Sequence, residues 1–460
     1  MLTANHRISD RQKLRRAIKA LTITLALGGP LLLPAHIFAQ GAPAAMATTH
    51  TAPGVAVEYQ ARQGLPNFFK ALQEGKEVRI AYLGGSITEA AGWRVFSRQW
   101  FQQQYPQAKV QEIDAAISGT GAEYGAGRVG RDVLSKQPTL LFVEFAVNGA
   151  GTTEQRQIRS MEGIVRQTLA NDPNTDICFV YTIHTPYLTD LQAGKLPPLE
   201  IVMEKIADHY GIPSINFGLE VAKQVQAGKL VYKGKAATAP AGSPPVFSED
   251  GTHPLGETGH KMYLEAIKRN MPAIKAAGTA GPHTIPAPLD PASWSKVTEV
   301  TFDQVRKTAG WKHLDLARDM AGKDLSKKVP SQLWLAGKPG EAFEVKFNGN
   351  AFGFDGFKGP DVGKFKVSID GGPPQTFTHF DSFCLEGRYR TKPWFWPDEL
   401  SSGEHTARVE VLADPINKVA DMQAHGVKIK NPGSFDGLNL YVGDIMVAGE
   451  IIPPASISLP

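Results

Sequence analysis

Between residues 57 and 275, short apolar runs alternate with longer amphipathic ones, and this alternation limits the fold more than any other feature. Runs rich in Val, Ile, Leu and Phe at 78–83, 109–113, 139–147, 176–182 and 214–217 have the length and composition of buried strands. Helical periods fall over 65–74, 93–105, 127–135, 155–170, 200–210, 219–227 and 256–270. Strands that alternate with helices predict an α/β domain whose parallel sheet is covered on both faces. The stretch 229–245, rich in Gly, Ala and Pro, reads as a polar loop before the last helix.

The pattern changes after Met271. Residues 276–296 are a linker by composition, and the remainder, 297–460, shows short alternating runs at 297–302, 332–335, 343–347, 365–369, 405–412 and 438–447. Turn signals separate them, including Asn348-Gly349-Asn350, Asp370-Gly371-Gly372 and Ser402-Gly403-Glu404. No long helical period interrupts the series, so an all-β sandwich is expected there.

Charge is informative only once it is divided. The net charge of +4 is concentrated at the start, where residues 1–39 hold six Lys or Arg and one acid; the rest carries 43 basic and 44 acidic residues. That balance gives no reason to expect nucleic acid as a partner. The basic start precedes an apolar run over 20–39 that ends Ile37-Phe38-Ala39, the layout of a secretory signal. Gly28-Gly29-Pro30 and Pro34 interrupt what would otherwise be a membrane anchor. The expected order is a signal at 1–39, a linker at 40–56, a first domain at 57–275, a linker at 276–296 and a second domain at 297–460. Export to the periplasm or the exterior follows, with no stable membrane association after the signal is removed. The two cysteines, Cys178 and Cys384, are expected to be buried thiols in different domains.

Four places in the first domain carry residues suited to chemistry. Gly84-Gly85-Ser86 ends the first strand, where an α/β sheet can expose a nucleophile. Ser118-Gly119 follows the second strand, Asn148 ends the third, and Asp250-Gly251-Thr252-His253 stands just before the last helix. Each has an ordinary structural explanation alone: a turn, a glycine among 46, a cap, a helix-entry turn. Their shared position at strand ends gives them weight together.

In this order the four places resemble the SGNH, or GDSL, hydrolase family, over about residues 78–270. Gly84-Gly85-Ser86-Ile87-Thr88, Ile117-Ser118-Gly119, the run 143–148 ending in Asn148, and Asp250 to His253 match the family's blocks. Two residues depart from the pattern: Gly85 and Gly149 stand where aspartates are usual. The resemblance implies a flavodoxin-like parallel sheet with helices on both faces, and a serine esterase that needs no metal and no organic cofactor. It implies Ser86 as nucleophile, His253 as base and Asp250 as the acid that orients it. It also implies an oxyanion hole made by the Ser86 and Gly119 backbone amides and the Asn148 side chain.

Other residues have competing readings. Glu89, Trp93 and His184 are candidate substrate contacts, and Arg94 stands close to them in sequence. Trp93 reads equally well as the start of a helix core, and His184 as a hydrogen-bonded structural histidine. His260 is expected to be a packing residue on the last helix, and Arg128 and Arg131 to pair with surface acids. The β-module resembles those that accompany carbohydrate-active esterases, which implies an acylated, most simply acetylated, carbohydrate as partner. Trp394, Phe395 and Trp396 either stack on sugar or form core and domain interface. A general lipase or arylesterase, and a non-catalytic glycan-binding surface protein, are the rival readings. The oligomeric state cannot be read from the chain.

Overall fold

The computed structural model describes residues 54–149 and 151–460. The signal-like segment, and all of the following linker but 54–56, lie outside those residues. Strand β1 is Tyr59–Gln60, β2 Glu77–Gly84, β3 Lys109–Asp114, β4 Leu140–Glu144, β5 Asp176–Tyr181 and β6 Ser214–Asn216. In β2, Val78 and Ile80 through Leu83 are all fully buried, because helices cover both faces of the sheet. The order is β1-β6-β5-β4-β2-β3, with β2 through β6 parallel and β1 an antiparallel edge. The five parallel strands therefore follow the 2-1-3-4-5 order of flavodoxin-like sheets, as expected. The chain leaves β2 for β3 on one side and returns for β4 on the other. That reversal opens a crevice at the carboxyl end of β2.

One helical layer comprises Pro66–Gln73, Trp93–Gln104, Phe217–Gln226 and Lys261–Lys275, and the other Ala122–Asp132, Glu154–Asn171 and Pro198–Tyr210. The helix expected at 127–135 begins five residues earlier, within a glycine-rich stretch. Gly125 and Gly127 are tolerated inside it because they allow close approach: a Cβ at Gly125 would lie 2.7 Å from the Phe145 ring. Strand β4 stops at Glu144 instead of 147, since the Asn148 amide turns back to the Phe145 carbonyl. The supposed polar loop at 229–245 contains β7, Val231–Lys233, which pairs in parallel with β8, Val246–Ser248. Among the described residues no helix is long and apolar enough to cross a membrane.

Past residue 296 the chain builds a twelve-stranded sheet around its own core, as a sandwich was expected to do. Its spine is the strand Ala342–Lys358, paired with Gly403–Val411 on one side and with Leu440–Ile452 on the other. Asn348-Gly349-Asn350 is not the expected turn. It lies inside that 17-residue strand, where the register shifts between Gly349 and Ala351 and a bulge redirects the ladder. Asp370-Gly371-Gly372 is a turn as expected, with Asp370 and Gly371 both at positive φ. Trp394 packs on Phe354, Phe365 and Phe377, and Phe395 on Trp294, so this aromatic run forms core and interface rather than a sugar platform. Both Cys178 and Cys384 are buried and free.

The two sheets are joined closely. Residues 276–296 run as a strap: His283 Nε2 meets Asp176 (2.7 Å), and the Leu289 and Asp290 amides donate to Glu162. Trp294 lies against Gly163 and under the Arg156 guanidinium. Arg128 and Arg131 both pair with acids as expected, but with buried or half-buried ones rather than acids at the surface. Arg128 is fully buried, donating to the Ala115 carbonyl (2.5 Å) and to Asp132 (2.9 Å). Arg131 reaches three acids of the second layer: Glu299, Asp355 (3.3 Å) and Asp444 (3.1 Å). Its Nη1 sits among them where a cation would be expected.

One guanidinium does not offset three carboxylates. Burial holds the Glu299 carboxyl up at about 8 and Asp355 up at about 6, against the attraction of Arg131. Replacing Arg131 by Met orphans Asp355, whose side chain is wholly buried, and should cost about 3 kcal/mol or more at pH 8. The loss should shrink towards pH 5, where the orphaned carboxyls take up protons. Urea unfolding of Arg131→Met at the two pH values checks this; equal losses at both would contradict it.

Candidate active site

Strand β2 delivers its last residues into the crevice. Gly84 and Gly85 permit this: a Cβ on Gly84 would stand 2.8 Å from the Glu144 carbonyl, and one on Gly85 would stand 2.4 Å from Asn148 Oδ1. Ser86 then opens a single helical turn, Ser86–Glu89, with Glu89 N–H bonded to the Gly85 carbonyl (2.9 Å). The asparagine side chain thus lies directly against the turn that carries the serine. Gly121 brings the loop after β3 to the same place, since a Cβ there would meet the Asn148 carbonyl at 2.6 Å. A side chain at Gly149 would displace Leu199 and Gln157. Both departures from the family pattern therefore fall where the neighbours crowd the backbone.

The fourth piece completes a line of hydrogen bonds. His253 Nε2 lies 2.8 Å from Ser86 Oγ, and His253 Nδ1 lies 2.6 Å from Asp250 Oδ2. Asp250 Oδ1 accepts from the Thr252 and His253 amides (2.8 Å each) and from Ser248 Oγ (3.1 Å). Burial works to raise the Asp250 carboxyl. The bonds from the His253 ring, its amide and the Thr252 amide outweigh it and hold the group well below the usual carboxylate range. The acid is therefore ionised, and Nδ1 carries a hydrogen toward it, which leaves Nε2 free to accept from the serine. Half of each side chain remains open to solvent, 51% for His253 and 56% for Asp250.

Several groups brace this line without belonging to it. Thr185 donates to the Gly251 carbonyl through its amide (2.8 Å) and its hydroxyl (2.9 Å), fixing the Asp250 turn to the end of β5. Gly251 has φ +88°, and a Cβ there would strike Thr185 Oγ1. Glu144, fully buried, accepts from Thr88 Oγ1 (2.8 Å) and Thr182 Oγ1 (2.7 Å), so it ties the serine turn to β4 and β5. Burial raises its carboxyl to about 7, against the bonds from Thr182, Thr88 and the Gly85 amide. The sequence held one signal for it, a lone acid inside an apolar strand.

The remaining candidates divide. Glu89 stands at the rim and accepts from Ser118 Oγ. Trp93 is corrected: it is fully buried, packed edge-on against Tyr82, Phe142 and Phe217, and touches no cleft. Arg94 is buried beneath the turn, donating to the Thr88 carbonyl (3.0 Å) and paired with Glu112. His184 is not a hydrogen-bonded histidine: its Nε2 is buried without a partner, its ring is edge-on to Tyr187, and burial lowers its pKa. His260 is nearly fully buried, and burial, then the charge of His253, pushes it down to about 4. It accepts from the Trp93 amide (3.2 Å) and so seats the start of that helix.

Glu144 gives this site a pH signature. Its folded pKa of about 7 exceeds the ordinary 4.5, so the native state holds the proton more tightly. The stability that follows is fully present below pH 4.5 and is lost as pH rises through about 7, about 3 kcal/mol in all. Glu144→Gln does not titrate. Relative to wild type it should gain stability between pH 5 and pH 8 by up to that amount, read from urea midpoints. A difference that does not vary with pH would contradict the buried titration.

Comparison with known proteins bears on the fold. The fold is similar to that of a two-domain esterase active on acetylated mannans, crystallised with and without mannopentaose. In the complex the TM-score is 0.63 at 19% identity, covering 88% of this chain and 98% of that one. The structure without the sugar gives the same score and identity over 87% and 98%. A smaller likeness, TM-score 0.31 at 15% identity, covers 42% of this chain and 94% of an acetylxylan esterase from Geobacillus stearothermophilus. No curated protein matches the sequence. The model of the GDSL-like lipase/acylhydrolase family matches residues 82–262, which span Ser86, Gly119, Asn148, Asp250 and His253.

Proposed function

We propose that this chain is an exported esterase that removes O-acyl groups, most simply acetyl, from a polysaccharide or oligosaccharide. The observation that carries the reading is the unbroken line from Ser86 Oγ through the His253 ring to Asp250, at 2.8 and 2.6 Å. In this reading His253 Nε2 takes the Ser86 proton as Oγ attacks the ester carbonyl. The Ser86 and Gly119 amides and the Asn148 side chain meet the charge that develops on the carbonyl oxygen. His253 then returns the proton to the leaving sugar oxygen, the C–O bond breaks, and an acyl-serine remains. Water, deprotonated by the same ring, releases the acid and restores Ser86. Asp250 keeps the ring in the required tautomer and stabilises its charged form.

Three further points support a sugar ester. The chain shares its two-part fold with an esterase active on acetylated mannans. The second layer, 297–460, stands as an accessory domain beside a hydrolase domain at 57–275. It brings Arg390 near Gly119, with Phe383, 69% exposed, lying under that guanidinium as a flat apolar face. Glu89 and His184 remain the proposed contacts at the rim. The basic and apolar start of the chain supports export.

The test is acetate release from a panel of acetylated polysaccharides. At least one should lose acetate to the wild type, and Ser86→Ala should lower the rate by about 10⁴-fold or more. Asp250→Asn should fold and lose about 10³- to 10⁴-fold in kcat, through the wrong tautomer. Turnover that survives Ser86→Ala would overturn the assignment. Hydrolysis of simple esters with no release from any glycan would leave a general esterase.

A further inference from the structure

The loop after β3 is held from the second layer. Lys328 Nζ donates to the Ala116 carbonyl (2.6 Å) and to Asp114 Oδ1 (2.7 Å), at the start of the loop. Lys392 Nζ donates to the carbonyl of Gly119 itself. Both lysines stand on fixed backbone. The Lys392 amide is bonded to the Gly356 carbonyl (2.9 Å) on the long strand Ala342–Lys358. The Lys328 carbonyl accepts from Ser326 Oγ (2.9 Å) and Thr391 Oγ1 (2.6 Å), so the two lysines share one support. Arg390, beside them, is engaged by Asp381 (2.5 Å), which also pairs with Lys358 (3.2 Å).

Gly119 needs such a hold. Its φ is +71°, and glycine is the residue with the widest choice of backbone angles. An amide that must meet a developing oxyanion works only while its direction is fixed before the reaction. Side-chain bonds fix its neighbours: Thr120 Oγ1 donates to the Ile117 carbonyl (2.7 Å) within the loop, and Ser118 Oγ donates to Glu89 on the serine turn. The carbonyl of Gly119 is held by Lys392, from 273 residues further along the chain.

We infer that Lys392, backed by Lys328, is a positioning residue for the oxyanion donor at Gly119. The second layer is then part of the catalytic machinery even for a substrate that carries no sugar. This rests on the assignment of Ser86, Gly119 and Asn148 made above. A lysine that merely touched the glycan would matter only for glycan substrates, and the two roles separate on that point.

The experiment compares wild type, Lys392→Met, Lys392→Arg and Ser86→Ala, as full chains, on p-nitrophenyl acetate and on an acetylated glycan. Lys392→Met should lower kcat on p-nitrophenyl acetate by about 10- to 100-fold while KM stays within about twofold. Lys392→Arg should recover most of that loss, and the melting temperature of both variants should stay near the wild-type value. If Lys392→Met does not fold, Lys328→Met is read for the same split. An unchanged kcat on p-nitrophenyl acetate overturns the inference, whether or not glycan turnover falls, and so does a change confined to KM. Wild type and Ser86→Ala behaving alike on p-nitrophenyl acetate would instead overturn the reading of the site.

Discussion

The carboxyl end of β2 is crowded on every side, and the rest of the molecule is arranged to keep it so. The strand emerges where the sheet order reverses, between β3 and β4. Two glycines let its last residues pass within contact distance of the Glu144 carbonyl and the Asn148 side chain. A buried carboxylate then binds Thr88 and Thr182 together beneath the turn. Ser86 is thereby fixed by backbone approach and by a hydrogen-bonded acid, with its own side chain left free toward His253. The support beneath is rigid, while the Ser86–His253 pair above it stays partly open to solvent.

The second layer is tied to that crevice by charge and by shape. Arg131 carries the first layer into a cluster of three acids on the sandwich, and Met446 fills the space that Gly127 leaves. Residues 276–296 cross the helices with their polar groups satisfied by Glu162, Asp176 and Asn67. With these contacts the sandwich is not a tethered module but a wall. Its lysines therefore lie within reach of the loop that holds Gly119.

What the sequence disclosed was local. Gly84-Gly85-Ser86 and Asp250 to His253 each place their residues within one turn, so they were visible as candidates, and the resemblance of the four places together to a known family supplied their roles. Strand–helix alternation pointed to a parallel sheet, and its order followed only from the resemblance of the four places to a known family. The rest depends on partners far along the chain. Trp93 was balanced between core and cleft until Tyr82, Phe142 and Phe217 were seen around it. Asn348-Gly349-Asn350 has the composition of a turn, but the ladder on both sides holds it as a bulge. The helix expected from Gly127 starts at Ala122, and only the bodies packed against Gly125 and Gly127 explain the glycines within it. Glu144 was visible as an odd acid in an apolar strand, while its bonds to Thr88 and Thr182 were not.

The central claim is that Ser86 is a nucleophile activated by His253. A fluorophosphonate, which forms a covalent bond only with an activated serine, tests it directly when the adduct is located by mass spectrometry of the digested protein. The account predicts one adduct, on the peptide that contains Ser86, and its loss in a folded His253→Ala variant. An unlabelled Ser86, an adduct on another serine, or labelling that persists without the His253 ring would contradict it.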